Sequence, residues 1–239
     1  MEVRIFNDKE QLGEVLAEIL VSRVKHRPDL SFGFATGASP IPVYNFLIDY
    51  YEQGLVSFKN IKTFNLDEYC DLPKDDKNSY YSFMHEKLFN HIDVKEENIN
   101  FLNGNAKDFA AECKRYDNLI LDKGIDIQLL GLGRNGHIGF NEPSTRFTKG
   151  CFRIKLSDST IEANSIYFTD NPMPHYALTM GTVSIMRSKE IFMIATGDKK
   201  ADAIYEMING DISPLCPASV LQLHPSVHVF IDKDAAKRL

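Results

Sequence analysis

Several things are missing from this chain of 239 residues, and each absence removes a class of explanation. There is no excess of positive charge: 27 Lys and Arg stand against 33 Asp and Glu, a formal net charge of −6. That balance argues against nucleic acid or an acidic membrane surface as the main partner, while leaving room for a local basic pocket that holds a small anion. Cysteine is scarce. Cys70, Cys113, Cys151 and Cys216 are widely spaced, with no CxxC pair and no Cys/His spacing of the kind that binds a metal, so no metal is expected. Such usage fits a reduced, cytoplasmic setting. No apolar run approaches membrane-spanning length, and the opening MEVRIFNDKEQLG has no apolar h-region, so membrane insertion and secretion are not expected. Internal repeats, low-complexity tracts and a convincing linker are absent too. So are a Rossmann glycine fingerprint and a P-loop lysine, the usual marks of dinucleotide and nucleotide sites.

What is present is the pattern of a soluble α/β domain. The hydrophobic share is 44% and the charged share 25%, ordinary values that allow a sizeable core. Strands are expected at residues 3–6, 30–35, 61–66, 99–102, 125–132, 152–156, 190–196 and 227–231. Between them lie helical patterns at 8–25, 40–53, 78–91, 107–123, 158–165, 197–210 and 216–223. Strands alternating with helices predict one domain over residues 1–239, with a mostly parallel central sheet flanked by helices.

One stretch organises the rest. The buried run at 125–132 leads into Gly133-Arg-Asn-Gly-His-Ile-Gly-Phe-Asn-Glu-Pro143, where glycines let the backbone turn sharply and approach a ligand. His137 and Glu142 share this loop, and a histidine beside a carboxylate can move protons near neutral pH. The position suits it, because ligands of open α/β sheets bind beyond the carboxyl ends of strands. The bland alternative is a structural turn with a satisfied surface histidine. Three further places have a similar balance. Thr36, Gly37, Ala38 and Ser39 follow a strand and precede a helix, which makes either an anion site or a plain N-cap by Ser39. Asp67 and Glu68 follow the strand at 61–66, as a tuned base or as a cap for the next turn. Gly197-Asp-Lys-Lys200 opens another helix, and its lysines are either anion ligands or surface charge. His85 and His91 read as ordinary helix-face residues. The segment at about 144–170, irregular and polar at its start, is expected to act as a mobile flap over the site.

Taken together, TFNLDEY (63–69), NSYYSFM (78–84), GRNGHIGFNEP (133–143) and CPASVLQLHP (216–225) resemble the glucosamine-6-phosphate deaminases, also called glucosamine-6-phosphate isomerases. The resemblance spans almost the whole chain. It implies a Rossmann-like architecture shared with other sugar-phosphate isomerases and CoA transferases, and a cofactor-free reaction in the cytoplasm. An amino sugar 6-phosphate and water would give a ketose 6-phosphate and ammonia. By that resemblance His137 opens the pyranose ring, Glu142 orients it, and Asp67 carries the proton from C2 to C1 beside its acidic neighbour Glu68. Thr36, Gly37, Ala38 and Ser39 would cradle the phosphate, Lys200 would complete the cradle, and Gly136 would line the substrate.

Three departures from the family pattern shape the expectation. Asn135 stands where many relatives have aspartate, so it can hold the imidazole by hydrogen bond without adding charge. Ile166 stands where relatives commonly carry a phosphate-clamping arginine, a contact worth on the order of 1.5–3 kcal/mol. Arg146, Arg153 or Lys199 would have to replace it, or the substrate differs, with galactosamine 6-phosphate the first alternative. The chain ends at Leu239, short of the long allosteric hexamers, so a non-allosteric monomer is expected. A 6-phosphogluconolactonase would leave the C2 base surplus, and a non-catalytic phosphosugar sensor would need neither His137 nor Asp67.

Overall fold

The structure, a computed structural model, describes residues 1–166, 168 and 172–239. Residues 167, 169 and 170 of the expected flap lie outside the described residues. In chain order the elements are β1 (Glu2–Phe6), α1 (Lys9–His26), β2 (Ser31–Phe34), α2 (Ile41–Glu52), β3 (Lys62–Asn65) and β4 (Asp67–Tyr69). There follow α3 (Tyr80–Lys87), β5 (Ile99–Asn100), α4 (Phe109–Lys123), β6 (Ile127–Gly131), β7 (Phe152–Lys155) and α5 (Asp158–Ser165). The chain closes with β8 (Tyr176–Thr179), α6 (Thr182–Ile185), β9 (Glu190–Ala195), α7 (Ala201–Asn209) and β10 (Val227–Asp232).

Seven strands form one sheet in the order β1-β10-β9-β6-β2-β3-β5, and every pairing in it is parallel. Alternate residues of each central strand serve opposite faces, as the two-residue period of a strand requires. Leu129, Phe192 and Phe230 pack with α1, α2 and α3, while Leu130, Met193 and Ile231 pack with α4 and α7. Both faces are therefore covered, which explains why these strands read as unbroken apolar runs. The strand order reverses between β2 and β6, because the chain moves outward from β2 through β3 to β5, then returns to β6 and moves the other way. A crevice at the carboxyl ends of these two strands is the expected ligand position in such sheets.

Two local expectations change. The helix from 78 stops at Lys87, because Leu88 leaves the helical region (φ −148°, ψ −60°) and only a tight turn at Phe89–His91 follows. The run at 61–66 also does not end in a simple tip. Leu66 donates its N–H to Phe34 of the main sheet, and its C=O accepts from Met180 N–H at 2.8 Å. The chain changes sheets at this residue. Asp67 thus opens β4, which pairs antiparallel with β8, and β8 with β7, in a small three-stranded sheet.

Candidate active site

Four connecting segments meet at the carboxyl ends of the adjacent strands β9, β6, β2 and β3: residues 197–200, 132–143, 35–40 and 66–67. The loop after β6 is a tight structure. Gly133 N–H donates to His137 C=O at 2.8 Å, and Gly136 N–H to Gly133 C=O at 3.1 Å. Gly136 has φ +82°, and a Cβ there would lie 2.5 Å from Cys216 Sγ, so both conformation and space require glycine. Its carbonyl accepts from Ala218 N–H at 2.9 Å, so the CPAS segment seats the turn. Gly136 is thereby placed as a turn residue against 216–218.

Gly139, at φ +57°, carries the contact that joins the two halves of the site. A Cβ on it would meet Thr179 Oγ1 at 2.9 Å and Asp67 Oδ2 at 3.4 Å. The Asp67 carboxyl therefore lies against the same loop that carries the His137 ring, two residues away. The loop is fixed there by Phe140 N–H, which donates to Thr179 Oγ1 (3.1 Å), and by the Asn141 amide, which donates to Ile138 and Met180 carbonyls (2.8 Å each).

His137 belongs to a hydrogen-bonded relay. Its Nδ1 lies 2.7 Å from Asn135 Oδ1 and 3.5 Å from Glu142 Oε1, and Asn135 Nδ2 donates to Glu142 Oε2 at 2.7 Å. The orientations follow by elimination. An ionised carboxylate only accepts, so Asn135 turns its NH₂ to Glu142 and its oxygen to the ring. That oxygen also only accepts, so Nδ1 bears a proton, and the neutral form of the ring has its lone pair on Nε2. Glu142 additionally accepts from Thr160 Oγ1 (2.7 Å) and Ser157 Oγ (3.3 Å), both from the start of α5. Burial alone would raise its pKa, but His137, Thr160 and Asn135 together overcome that and hold it down at about 2.

Asp67 is in the opposite condition. It is 6% exposed, and burial followed by repulsion from Glu68 pushes its pKa up to about 8. Glu68 itself points the other way, as neighbours on a strand must. Its Oε1 accepts from Tyr69 and Tyr80 N–H (2.8 and 2.9 Å) and its Oε2 from Tyr81 N–H (2.9 Å). Burial raises its pKa to about 7 against these donors. Glu68 thus satisfies the open first turn of α3 and docks that helix on β4. In this arrangement all three of its hydrogen bonds go to backbone N–H groups of Tyr69, Tyr80 and Tyr81.

The turn at 36–39 is open. The N-cap of α2 is Pro40 with no side-chain cap bond, so Ser39 does not close the helix as a plain cap would. Gly37 (φ +93°) and Ala38 are exposed, while Thr36 lies near the Tyr80 hydroxyl. Across the crevice Lys200 Nζ donates to Leu132 C=O at 2.5 Å, at the foot of the loop after β6. Burial and then the charge of Arg134 lower its pKa. Both carboxylate oxygens of Asp232 hold Gly197 N–H at 3.0 Å, which fixes the turn carrying this lysine.

The expected replacements for the missing arginine fare differently. Ile166 is 70% exposed. Arg153 is committed elsewhere: its guanidinium stacks on Tyr176 (3.9 Å) and Phe109 (4.8 Å) and pairs with Asp71 (3.7 Å). Arg146 and Lys199 show no ion pair among the described residues. The cation that sequence reasoning overlooked is Arg134, inside the quoted motif and beside Lys200, likewise with no acidic partner among the described residues. Nor is the segment at 144–170 free throughout. Thr148 donates its hydroxyl to Asn141, accepts from Thr182 N–H at 2.8 Å, and Cys151 N–H is held by Asp117 (2.9 and 3.0 Å). Residues 148–151 are pinned, and α5 is docked on Glu142.

The family described as glucosamine-6-phosphate isomerases/6-phosphogluconolactonase has a profile that matches residues 8–229. A glucosamine-6-phosphate deaminase of Clostridium acetobutylicum is 45% identical over 241 residues, covering 100% of both chains. One from Halalkalibacterium halodurans is 46% identical over 225 residues, covering 93% of this chain and 92% of that one. Among solved structures, a monomeric glucosamine-6-phosphate deaminase superposes with a TM-score of 0.96 at 44% identity over 100% of both chains. The 6-phosphogluconolactonase of Trypanosoma brucei, at 19% identity and a TM-score of 0.76, shares the fold. With a profile match over nearly its full length and full-length relatives at this identity, the chain belongs to the glucosamine-6-phosphate isomerase/6-phosphogluconolactonase family.

Proposed function

We propose that this chain converts glucosamine 6-phosphate and water to fructose 6-phosphate and ammonia. The observation that carries the reading is the contact of the Asp67 carboxyl with Gly139, which sets a buried base beside the loop bearing a relay-held imidazole. Ring opening needs one group that accepts a proton from the anomeric hydroxyl and returns it to the ring oxygen. His137 Nε2 has the lone pair for this, and Nδ1 is locked by Asn135 and Glu142. The second step needs a stronger base in a dry place. Asp67, with its raised pKa, takes the C2 proton of the open-chain amino aldose and returns it at C1. The C2 imine so formed adds water and releases ammonia, leaving the ketose.

In this reading the phosphate rests on the open N–H groups of the 36–39 turn at the start of α2, and Lys200 supplies one positive charge. Arg134 supplies the second charge, in the role left vacant by Ile166. The ammonium of the substrate, entering beside Asp67, favours its ionised form. A monomer fits the reading, since the related structure at 44% identity is described as monomeric.

The test is ammonia release from purified protein offered glucosamine 6-phosphate and galactosamine 6-phosphate side by side. Release from the gluco sugar at a rate at least tenfold above the galacto sugar supports the reading. The reverse preference would move the substrate to the galacto series. Hydrolysis of 6-phosphogluconolactone without ammonia release from either sugar would overturn it.

A further inference from the structure

The four cysteines fall into two kinds. Cys70 is buried, and burial raises its thiol to a pKa of about 11; Cys216 is raised by burial as well. Thiols in that state are poor nucleophiles. Cys113 and Cys151 are different. They come from α4 and from the residue just before β7, 38 positions apart, yet their sulfurs lie 3.1 Å from each other. The Cys151 thiol donates to the Cys113 sulfur, and that bond favours Cys113 as thiolate. The backbone around them is already fixed, because Asp117 of α4 accepts twice from Cys151 N–H. A surface groove lined by Phe109, Lys114, Asp117, Asn118 and Arg153 reaches both sulfurs, with two cations along its wall.

We propose that Cys113 and Cys151 form an oxidisable dithiol that reduces a hydroperoxide and closes into an intramolecular disulfide. The Cys113 thiolate attacks the peroxide, its sulfur takes the hydroxyl group, and the O–O bond breaks to give sulfenic acid and hydroxide. Cys151 then attacks that sulfur, the S–O bond breaks, and with the thiol proton the leaving hydroxide becomes water. In total two thiols and one hydrogen peroxide give one disulfide and two waters. A sulfenic acid formed this close to a second thiol is resolved before it can oxidise further. The bond would fasten α4 to the residue ahead of Phe152, which lies across from Thr179, itself across from Asp67. The dithiol stands on its own geometry and does not depend on which sugar phosphate the chain takes.

The experiment treats the whole purified protein with a few-fold molar excess of hydrogen peroxide, blocks remaining thiols by alkylation, and maps peptides without reduction. The expected result is a single cross-link between the peptides of Cys113 and Cys151, with no covalent dimer. Those two thiols should be consumed at least tenfold faster than Cys70 and Cys216, and dithiothreitol should restore them. Cys113→Ser and Cys151→Ser should each abolish the cross-link, and Cys70→Ser should leave it. Should a variant fail to fold, the wild-type map decides alone. A bond between Cys70 and Cys113, a dimer, sulfinic acid without cross-link, or no faster reaction of the pair would each overturn the proposal.

Discussion

Glu142 and Asp67 are both largely withdrawn from water, and both border the same glycine-bent loop, yet one carboxyl is held near a pKa of 2 and the other near 8. Burial pushes each in the same direction. The difference lies in what surrounds them. Glu142 collects hydrogen bonds from Asn135, Thr160 and Ser157 and has an imidazole within reach. Asp67 has the backbone of Gly139 on one side and, as its charged neighbour, another acid. Depth in the protein does not decide whether a carboxyl is spectator or base; the supply of donors does.

The comparison breaks most sharply at Asp67. Asp67→Asn should lower kcat by 10³-fold or more, with phosphosugar affinity by calorimetry held within a few-fold. Surviving turnover would place the base elsewhere. His137→Gln should cost about 10²–10⁴-fold in kcat/KM, a typical range for lost general acid–base help, measured with the cyclic substrate. Lys200→Ala should raise KM by roughly 10–100-fold and Arg134→Ala by about tenfold, in line with charge-assisted contacts of about 1.5–3 kcal/mol. A fall in kcat with KM unchanged would remove both from the phosphate.

Smaller effects sharpen the same contrast through pH. In the proposed reaction the ionised Asp67 takes the proton, so kcat/KM should climb with pH and level off above about 8. Stability should run the other way at this residue. The folded protein holds a proton on Asp67 that an unfolded chain, with a carboxyl of ordinary pKa 3.8, releases. Its contribution therefore falls as pH rises from about 4 to about 8. Asp67→Asn carries no such proton, so its gain in melting temperature over the wild type should grow across that window. For Glu142 the sign reverses: its contribution is complete above 4.5 and is lost as pH falls toward 2. A melting series of Asp67→Asn and Glu142→Gln against the wild type from pH 3 to 9 would read the two trends.

Much of the fold was legible because its strands are buried on both faces. The apolar run around Leu129 and Leu130 could only sit mid-sheet, and β6 does, between β9 and β2. The loop from Gly133 to Pro143 was legible for a related reason, since dense glycine marks close backbone approaches, here to Cys216 and Asp67. The turn of the chain at Leu66 was not. A three-residue strand is too short to show a period, so nothing in TFNLDEY announces that Asp67 and Glu68 face opposite ways. Partners distant in sequence were equally hidden. Thr160 reaches Glu142 across 18 positions, and Asp232 reaches Gly197 across 35, with no local pattern to betray either. Arg134 was in plain view, but only the position of Lys200 at Leu132 gives it meaning.

Asn135 has one more consequence. An amide in that place passes on direction without carrying charge, so the link between Glu142 and the ring has no protonation state of its own to change. Wherever Glu142 is ionised, the same pair of hydrogen bonds holds the ring at the same tilt. The ring is aimed by a group that cannot titrate, so the direction it faces is built into the fold and is not left to the solution.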